Sequence, residues 1–417
     1  MIGKKGWILG LCLVVGFGSG FLAAQTPEDR ETLKDLTRQA DNLLSRIKDL
    51  EARIGKSNPS HPETHDLAGS SSSNTAAADR PASFESSSTS TSTFSVRGYG
   101  DLGFSAPVTK SGINNSFAIG QIDLFVTSRL SNHFGFLMET ILESETDNAI
   151  HIDLERVVFQ YRQNKYFNVD VGRYHSSIGY YNTAYHHGTW FQTTSKRPLL
   201  FEFEDNNGLL PTHNVGVSVH GAIASGQLNL GYNLEVGNGR DYAKEQVQVV
   251  SDNNRGKSVN FAVNSRPSWA PGLELGTSLY RDQLNLNGRK IGQYIFAGYG
   301  VYRIGRLETI NEFVAIRHTR KEEAGTKVTH IPGFYSQWSY RTSPSLRPYF
   351  RYEFSNPSAN DPLVKFLTDN RQFQSAQVAG IRFDFAEFAT LKFEARRISY
   401  RGLAAATRAS VNLSFTF

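Results

Sequence analysis

The sequence predicts an all-β fold, a 16-stranded antiparallel transmembrane β-barrel, preceded by a short α-helical coiled coil and a disordered linker. Apolar and small polar side chains alternate over the final residues, 407–417, which end on Phe417. Similar segments of about ten residues recur from Phe94 onward, and a barrel in lipid needs that period of two in every strand. Short and long connections also alternate between the segments, as they do at the two ends of such a barrel.

Residues 1–24 have the pattern of a secretory signal peptide. Lys4 and Lys5 precede an apolar run over 7–22, and small residues follow up to Ala24. The alternative is an uncleaved transmembrane helix, because the run approaches the roughly 20 residues needed to span a bilayer. We expect cleavage near Ala24, since no second run of that length follows to cross a membrane as a helix.

Composition excludes several functional classes. The only cysteine is Cys12, inside the leader, so the mature chain would have no disulfide and no cysteine-based metal site. The net charge is +5, but the basic residues form no cluster and no nucleic-acid motif is present, so we expect no nucleic-acid partner and no cofactor. Ser176 and Ser177 lie near histidines, yet no nucleophile elbow surrounds them, and we expect no enzyme.

Residues 28–55 are predicted to form a periplasmic coiled coil. Seven apolar residues are spaced alternately three and four apart, which is an a/d heptad seam. They are Leu33, Leu36, Ala40, Leu43, Ile47, Leu50 and Ile54. This narrow seam favours association of several chains, and the alternative is a single amphipathic helix lying on its own barrel. Residues 56–93 are rich in Ser and Thr and are predicted to be a flexible linker.

The barrel is predicted over 94–417. Its strands are predicted at 94–105, 116–130, 133–144, 150–162, 166–175, 212–223, 227–237, 257–266, 272–282, 289–303, 306–319, 327–341, 346–355, 371–385, 388–400 and 408–417. The even count suits a single-chain bacterial barrel. Long excursions follow odd strands at 176–211, 238–256 and 356–370, whereas short turns follow even strands. Both termini are therefore expected in the periplasm, with the barrel in the outer membrane of a Gram-negative-type bacterium.

Alternation also predicts which side chains face a hydrated lumen. In 227–237, Leu234 and Val236 are predicted to face lipid and Glu235 the lumen, whereas 306–319 is ambiguous on both faces. The predicted pore-lining cations are Arg129, Arg156, Arg281, Arg351, Arg382 and Arg396. The predicted anions are Asp123, Glu139, Glu143, Glu353, Asp384 and Glu394. Facing walls of opposite charge would orient dipolar solutes, and a surplus of cations would favour anions; the alternative is ordinary cross-strand ion pairing.

The segment 176–211 is predicted to be the constriction loop. Long connections without regular structure are usually functional or disordered, and its many aromatic residues argue against disorder. Its charged residues are then predicted to set the size and charge of the opening, facing each other or the barrel wall: Lys196, Arg197, Glu202, Glu204 and Asp205. The alternative is a lid across the outer rim or into a neighbouring subunit.

Four histidines lie in or beside this loop: His175, His186, His187 and His213. Imidazoles grouped in this way could bind a transition metal. Adjacent residues of an extended chain point in opposite directions, however, and the spacing is not that of a ligand set. We predict no metal site.

The run VDVGRYHSSIGYYNTAYHHGTW, in which a strand ending at Gly172-Arg173-Tyr174 opens a long aromatic loop, resembles porins of the phosphate-selective O and P group. The resemblance implies a homotrimer of sixteen-stranded barrels whose third outer loop folds inward, and some related porins carry an N-terminal periplasmic coiled coil. It also implies that 176–211 is the constriction loop and that Arg173 lies near its base. The chain departs from the phosphate-specific pattern because Lys196 is the only lysine in this loop.

The expected function is therefore a porin that lets small polar solutes diffuse passively, with a mild anion preference, through an Arg-lined constriction. Outer-membrane lipid and copies of the same chain are the expected partners. The alternatives are a structural or adhesive envelope protein anchored by the barrel, a barrel specific for sugars or phosphate, and a barrel enzyme acting on lipids.

Overall fold

A computed structural model describes Arg38, Ser45 and residues 93–108, 115–144, 149–185, 188–204, 208–240, 250–251, 254–286, 288–323, 325–368 and 373–417. Arg38 and Ser45 are both helical. The predicted signal peptide, the apolar seam of the coiled coil, the linker up to residue 92, His186, His187 and Asp205 lie outside the described residues.

Sixteen antiparallel strands form a closed barrel, which confirms the predicted fold. The strands are β1 (Thr93–Pro107), β2 (Ser116–Arg129), β3 (Phe134–Ser144), β4 (Ile150–Arg162), β5 (Asn168–His175), β6 (His213–Ala222), β7 (Leu230–Gly237), β8 (Ser258–Ser265), β9 (Leu273–Leu286), β10 (Arg289–Ile304), β11 (Leu307–Glu322), β12 (Gly325–Tyr340), β13 (Leu346–Ser355), β14 (Phe373–Ala386), β15 (Ala389–Tyr400) and β16 (Ala406–Thr416). Each strand pairs with the next, and β1 closes the sheet on β16 in a register that places Tyr99 opposite Thr416.

The two ends of the barrel differ as the sequence predicts. The three long connections follow β5, β7 and β13, and we call their side the loop end; the connections after even strands lie at the turn end. Short helices occur within the connections: α1 (Tyr181–Ala184), α2 (Pro362–Thr368) and the 3₁₀ turns η1 (Thr189–Phe191), η2 (Leu199–Phe201) and η3 (Gly226–Leu228). None of the helices in the described part of the chain is both long and apolar enough to span a bilayer.

Alternation sorts the side chains of β7 as predicted. Leu234 and Val236 expose 43% and 44% of their surface on the outside, whereas Glu235 exposes 1% on the inside. Apolar residues outside and a carboxylate inside suit a barrel in lipid, because an uncompensated charge on the lipid side is costly near the bilayer centre.

The lumen is not hydrated on all sides, which corrects one expectation. The inner wall of β9–β12 carries many apolar side chains, which pack against the long loop. Its buried residues include Leu284, Ile291, Ile295, Val301, Ile310, Val314, Ile316 and Ile331. In β11, Val314 faces this internal core while Phe313 is 45% exposed on the outside. Both faces of β11 are therefore apolar, which explains why its sequence pattern is ambiguous.

Candidate functional site

The long loop after β5 lies inside the barrel and runs along the inner wall. At its base, the Ser176 amide donates to Thr212 O over 2.7 Å, so that the loop leaves and re-enters the wall at adjacent points. From there the loop contacts inward-facing residues from β7 round to β1. At the far side, Thr189 Oγ1 lies 2.9 Å from Ser414 Oγ and Phe191 packs on Tyr99 with 4.6 Å between ring centroids.

Buried carboxylates of the wall accept the loop's main-chain N–H groups. Glu312 Oε2 accepts the Tyr180 amide at 2.5 Å, and Glu312 Oε1 accepts the Tyr181 amide at 3.1 Å. Glu235 Oε1 accepts the Ser177 amide at 2.9 Å. A carboxylate that accepts several hydrogen bonds satisfies both its own charge and the exposed amides of an irregular segment.

Gly179 allows this close approach. Its φ is +75°, a left-handed conformation that favours glycine. A Cβ at this position would lie 2.5 Å from Glu312 Oε2 and 2.8 Å from a ring carbon of Phe201. Any larger residue would therefore push the loop away from β11.

The second half of the loop is held in the same way by β13 and β15. Glu353 Oε2 accepts the Leu199 amide at 2.5 Å, and Glu394 Oε2 accepts the Ser195 amide at 2.9 Å. Both carboxylates are buried, and both were predicted to be pore-lining anions. Each faces inward but accepts a hydrogen bond from a main-chain donor of the loop.

Cations of the wall bind the loop's carbonyl oxygens. Arg351 has no exposed surface; its Nη2 donates to Lys196 O and Arg197 O, both at 3.1 Å, and its Nη1 donates to Thr194 Oγ1 at 2.8 Å. Its Nε also pairs with Glu353 at 2.8 Å. This guanidinium, predicted to line open water, instead fastens the loop to β13.

Arg382 does the same on β14. Its Nη1 donates to Trp190 O at 2.8 Å and Gln192 O at 2.9 Å, while its Nε pairs with Asp384 at 2.7 Å. On β15, Arg396 lies 3.5 Å from Glu394 and donates to Arg197 O at 3.4 Å.

Lys392 is a loop contact that the sequence reasoning missed. It is fully buried, and its Nζ donates to Thr189 O and, at 3.2 Å, to Thr194 O. A signal was present, because Lys392 is two residues from Glu394 and therefore shares its inward face. Glu312 gave no such signal, since its neighbours on the same face are apolar.

A buried charged network lies at the base of the loop. Arg156 Nε pairs with Glu139 at 2.6 Å, so both predicted residues face inward but neutralise each other. The imidazole of His213 lies between two carboxylates, 2.9 Å from Glu155 Oε2 and 3.1 Å from Glu204 Oε2.

Arg173 joins this network from the end of β5. Its Nε donates to Glu155 O at 2.8 Å, and its Nη2 lies 3.5 Å from Glu155 Oε2. Glu204 closes the loop's end, because its Oε1 accepts the amides of Thr212 and His213 at 2.5 and 2.9 Å. Burial alone would raise the pKa of the Glu204 carboxyl, but the charge and hydrogen bond of His213, together with Arg240, lower it to about 2.

The loop's own cations differ in exposure. Arg197 is buried, donates to Phe201 O at 2.6 Å and stacks over Phe203 at 3.9 Å from the ring centroid. Lys196 is exposed. Glu202 is half-buried, and burial raises the pKa of its carboxyl even though Arg396 and Lys196 act to lower it.

Arg281 does not line the lumen, and its predicted place there is wrong. It is exposed on the outer face of β9, together with Leu275 and Leu279, while Tyr280 and Asp282 are buried on the inside. The inner face of β9 includes Tyr280 and Leu284, so apolar character marks both faces and alternation alone gave the wrong register.

Three other predicted residues lie on the inner wall. Asp123 has no exposed surface, and Glu143 is half-buried opposite Gln121. Arg129 lies at the turn end, with its side chain 3.4 Å from Ser131 O and Asn132 Oδ1.

A cavity of about 900 Å³ lies between the turn end and the near side of the loop. Its cationic lining residues are Arg129, Arg162, Lys165 and Arg266, and its carboxamides are Asn132, Gln163, Asn164, Asn168, Asn229, Asn233 and Asn264. Ser177, Gly179 and Thr183 of the loop form its inner limit. The cavity thus adjoins the loop and combines these polar groups with apolar lining residues such as Leu230 and Val263.

A second connection also folds inward, which the sequence did not predict. Asp361 Oδ1 accepts the amides of Leu363 and Val364 at 3.0 and 3.2 Å and so caps α2, while Asp361 Oδ2 accepts from His318 Nδ1 at 2.7 Å. Leu363 and Val364 are buried in the internal core beside the long loop. The cap and the hydrogen bond from His318 thus attach α2 to the inner wall of β11.

His175 and His213, the two histidines of this group that the structure describes, both contact other protein groups. His175 Nδ1 lies 3.0 Å from Asn182 O, and its ring meets that of His213 edge-on at 4.9 Å. Within the described ranges, no group of three or more His, Cys, Asp or Glu side chains is arranged to hold a metal ion.

No protein-family model and no curated protein sequence matches the chain. Solved structures do match it. An anion-selective porin from Comamonas acidovorans superposes with a TM-score of 0.56 at 11% identity, covering 78% of this chain and 100% of that one. The likeness is one of fold.

Two further solved structures share this architecture. The outer-membrane channel DcaP of Acinetobacter baumannii gives a TM-score of 0.52 at 10% identity, covering 81% of this chain and 100% of that one. OmpT, an outer membrane protein of Vibrio cholerae, gives a TM-score of 0.54 at 9% identity, covering 78% of this chain and 98% of that one. The fold is thus that of outer-membrane barrels with sixteen strands, which says nothing yet of solute or selectivity.

Proposed function

We propose that this chain is an outer-membrane porin through which small polar solutes diffuse passively, with a mild preference for anions. The observation that carries the proposal is the long loop, held by hydrogen bonds to the inner wall from β7 to β15, with a cavity of about 900 Å³ beside it that carboxamide and basic side chains help to line. A loop fixed in this way narrows a channel without depending on its own flexibility. The fold shared with an anion-selective porin and an outer-membrane channel supports the proposal.

The anion preference is proposed to come from cations that remain accessible to solutes. Lys196 is exposed on the loop, and Lys165, also exposed, lines the cavity with Arg129; Arg162 lines it too but is paired with Asp170. The Arg-lined constriction expected from the sequence is therefore proposed in a changed form, because Arg351 and Arg382 bind loop carbonyls. Charged rings near a constriction set ion preference through their field.

Assembly and orientation belong to the same proposal. We place both termini in the periplasm, after a cleaved leader at 1–24, and propose a homotrimer aided by a coiled coil at 28–55 and tethered by the linker at 56–93. A form of Vibrio cholerae OmpT with this fold is described as a trimer, at a TM-score of 0.52 and 10% identity. Crosslinking of the full-length protein in native membranes, followed by mass measurement, tests the trimer.

Planar-bilayer recording of the purified full chain tests transport. We expect discrete conductance steps. Under a salt gradient, we expect the sign of the reversal potential to show that anions permeate more easily than cations. K196Q should move that potential toward cations, whereas R306Q, which removes an exposed cation at the turn end, should not. Absence of conductance steps would reject the porin and leave the barrel as an anchor for a structural envelope protein.

A channel specific for sugars is the second candidate, because seven carboxamide side chains line the cavity. Carboxamides both donate and accept hydrogen bonds and so suit sugar hydroxyls. Liposome swelling separates the two: faster entry of sugars than of amino acids of equal size would favour the sugar channel.

A further inference from the structure

Basic side chains cross the outside of the barrel in one row near the loop end. In the strand registers, Arg281 lies opposite Tyr294, Tyr294 opposite Arg317, and Arg317 opposite His330. All four residues are exposed. We call this row, two arginines and a histidine with Tyr294 between the arginines, the basic row. They share the outer face of β9–β12 with the apolar side chains that face lipid.

The basic row lies at the edge of an apolar band. Toward the turn end, the next outward rows contain Leu279 and Phe296, then Phe313 and Phe334, all more than 40% exposed. The last row of the band lies nearest the turn end. In strand order it consists of Leu273, Tyr302, Thr309 and Trp338, each opposite the next.

The height of this band suits one bilayer. Arg281 is eight residues from Leu273 on β9, which at roughly 3.4 Å per residue and a tilt of about 40° gives a height on the order of 20 Å. The apolar band of an outer-membrane barrel is about 25 Å tall. The basic row therefore lies at the level of lipid headgroups, where an outward cation is tolerated far better than at the bilayer centre.

Within the part of the chain that the structure describes, the two arginines of the row are not paired with a carboxylate. Arg281 stacks over the Tyr294 ring at 6.0 Å from its centroid. Among the residues that the structure describes, the side chains of Arg281, Arg317 and His330 have no hydrogen bond or ion pair, and no carboxylate lies in the row. On the inner wall, by contrast, arginines are engaged with carboxylates or loop carbonyls, as Arg351 and Arg382 are.

We propose that the basic row is a binding site for the phosphate groups of a membrane lipid. Arg281 and Arg317 lie two strands apart, on the order of 10 Å, so their long side chains can reach one phosphate above Tyr294 or two neighbouring ones. A guanidinium matches phosphate oxygens in a fork geometry, and tyrosine suits the boundary between headgroups and acyl chains. Lys290 and Lys321, also exposed, add positive charge beyond the row. This inference depends on the barrel spanning a membrane but not on its conducting solutes.

Lipid retention tests the site. The full chain is reconstituted in phosphatidylcholine nanodiscs and titrated with lipid A, which carries two phosphates, or with phosphatidylglycerol, and bound lipid is counted by native mass spectrometry. We expect R281Q/R317Q to bind lipid A about tenfold more weakly than wild type. The control R306Q/R341Q removes two arginines at the turn end, one after β10 and one after β12, and should bind normally. Heat-modifiable migration on gels reports whether each variant has a folded barrel.

Two outcomes would overturn the proposal. One is unchanged lipid A binding by folded R281Q/R317Q. The other is an equal loss of binding in the control pair, which would mean that arginines at either end of the barrel bind lipid A equally well. Conductance is recorded in planar bilayers with the same protein preparations. A chain that binds lipid A through the row but shows no conductance steps would reject the porin and keep the lipid site.

Discussion

The guanidinium of Arg351 donates to the main-chain oxygen of Lys196 over 3.1 Å, although 155 residues separate them. A wall cation and a loop carbonyl thus form one contact of the internal surface. The charge of Arg351 is already balanced by Glu353, and three loop oxygens accept its hydrogen bonds. We therefore expect Arg351 to fix the position of the loop more than to act on passing ions through its electric field. This relationship leads to the first prediction.

Changing Arg351 to Ala should release the loop from β13. Removing one partner of a buried ion pair costs roughly 3–5 kcal/mol, because Glu353 would stay buried without its counter-charge. We expect larger and noisier single-channel conductance, and faster protease cleavage within 188–204. R351K keeps the charge but not the fork and should give an intermediate result. Unaltered conductance with a pure shift of reversal potential would show that Arg351 acts by its field instead.

Gly179 should be sensitive to a single methyl group. In G179A, the new Cβ would clash with Glu312 Oε2 and Phe201, and the left-handed backbone adds strain of about 1 kcal/mol or more. The matched control is G402A, because Gly402 also has a positive φ, +70°, but a Cβ added there would meet no atom within 4 Å. Limited proteolysis of the loop should accelerate in G179A only; equal acceleration in both would assign the effect to backbone strain.

The barrel could be predicted from sequence because lipid imposes one simple pattern on each strand. All sixteen strands were located, and the outward Leu234 and inward Glu235 of β7 follow directly from alternation. The pattern fails where the inner wall is also apolar. Arg281 was assigned inward for this reason, since both faces of β9 carry apolar side chains.

The candidate site could be predicted in composition but not in pairing. Glu353, Glu394, Arg351 and Arg382 were placed on the inner face of their strands by alternation, and in the structure each contacts the loop. Their partners are main-chain N–H and C=O groups, which are identical in every sequence and leave no residue-specific signal. The inward fold of α2 was missed for another reason: its contacts, such as that of Asp361 with His318, join side chains far apart in the sequence.

Glu204 should make the attachment of the loop depend on pH. The pKa of its carboxyl is about 2, below the ordinary value of 4.5, so its stabilising contribution is complete above pH 4.5 and is lost as pH falls toward 2. The lowering corresponds to roughly 3 kcal/mol. We expect the melting temperature of wild type to fall as the pH is lowered across this range. We expect E204Q to melt at a lower temperature than wild type at pH 7, and its melting temperature to change less with pH. Parallel curves for the two proteins would contradict this role.

Asp361 should hold α2 inside the barrel by two separable contacts. In D361A both the cap of α2 and the hydrogen bond with His318 are lost, whereas D361N keeps an oxygen that can cap the helix. Loss of a cap costs about 0.5–2 kcal/mol. Burial tends to raise the pKa of the Asp361 carboxyl, but the hydrogen bond from His318 lowers it overall, so the ionised form is the one that is bound. Hydrogen exchange of amides 362–368 should therefore be fastest in D361A, intermediate in D361N and slowest in wild type. Equal exchange in D361N and wild type would mean that the cap alone positions α2, since the charge on residue 361 would then contribute nothing to its contact with β11.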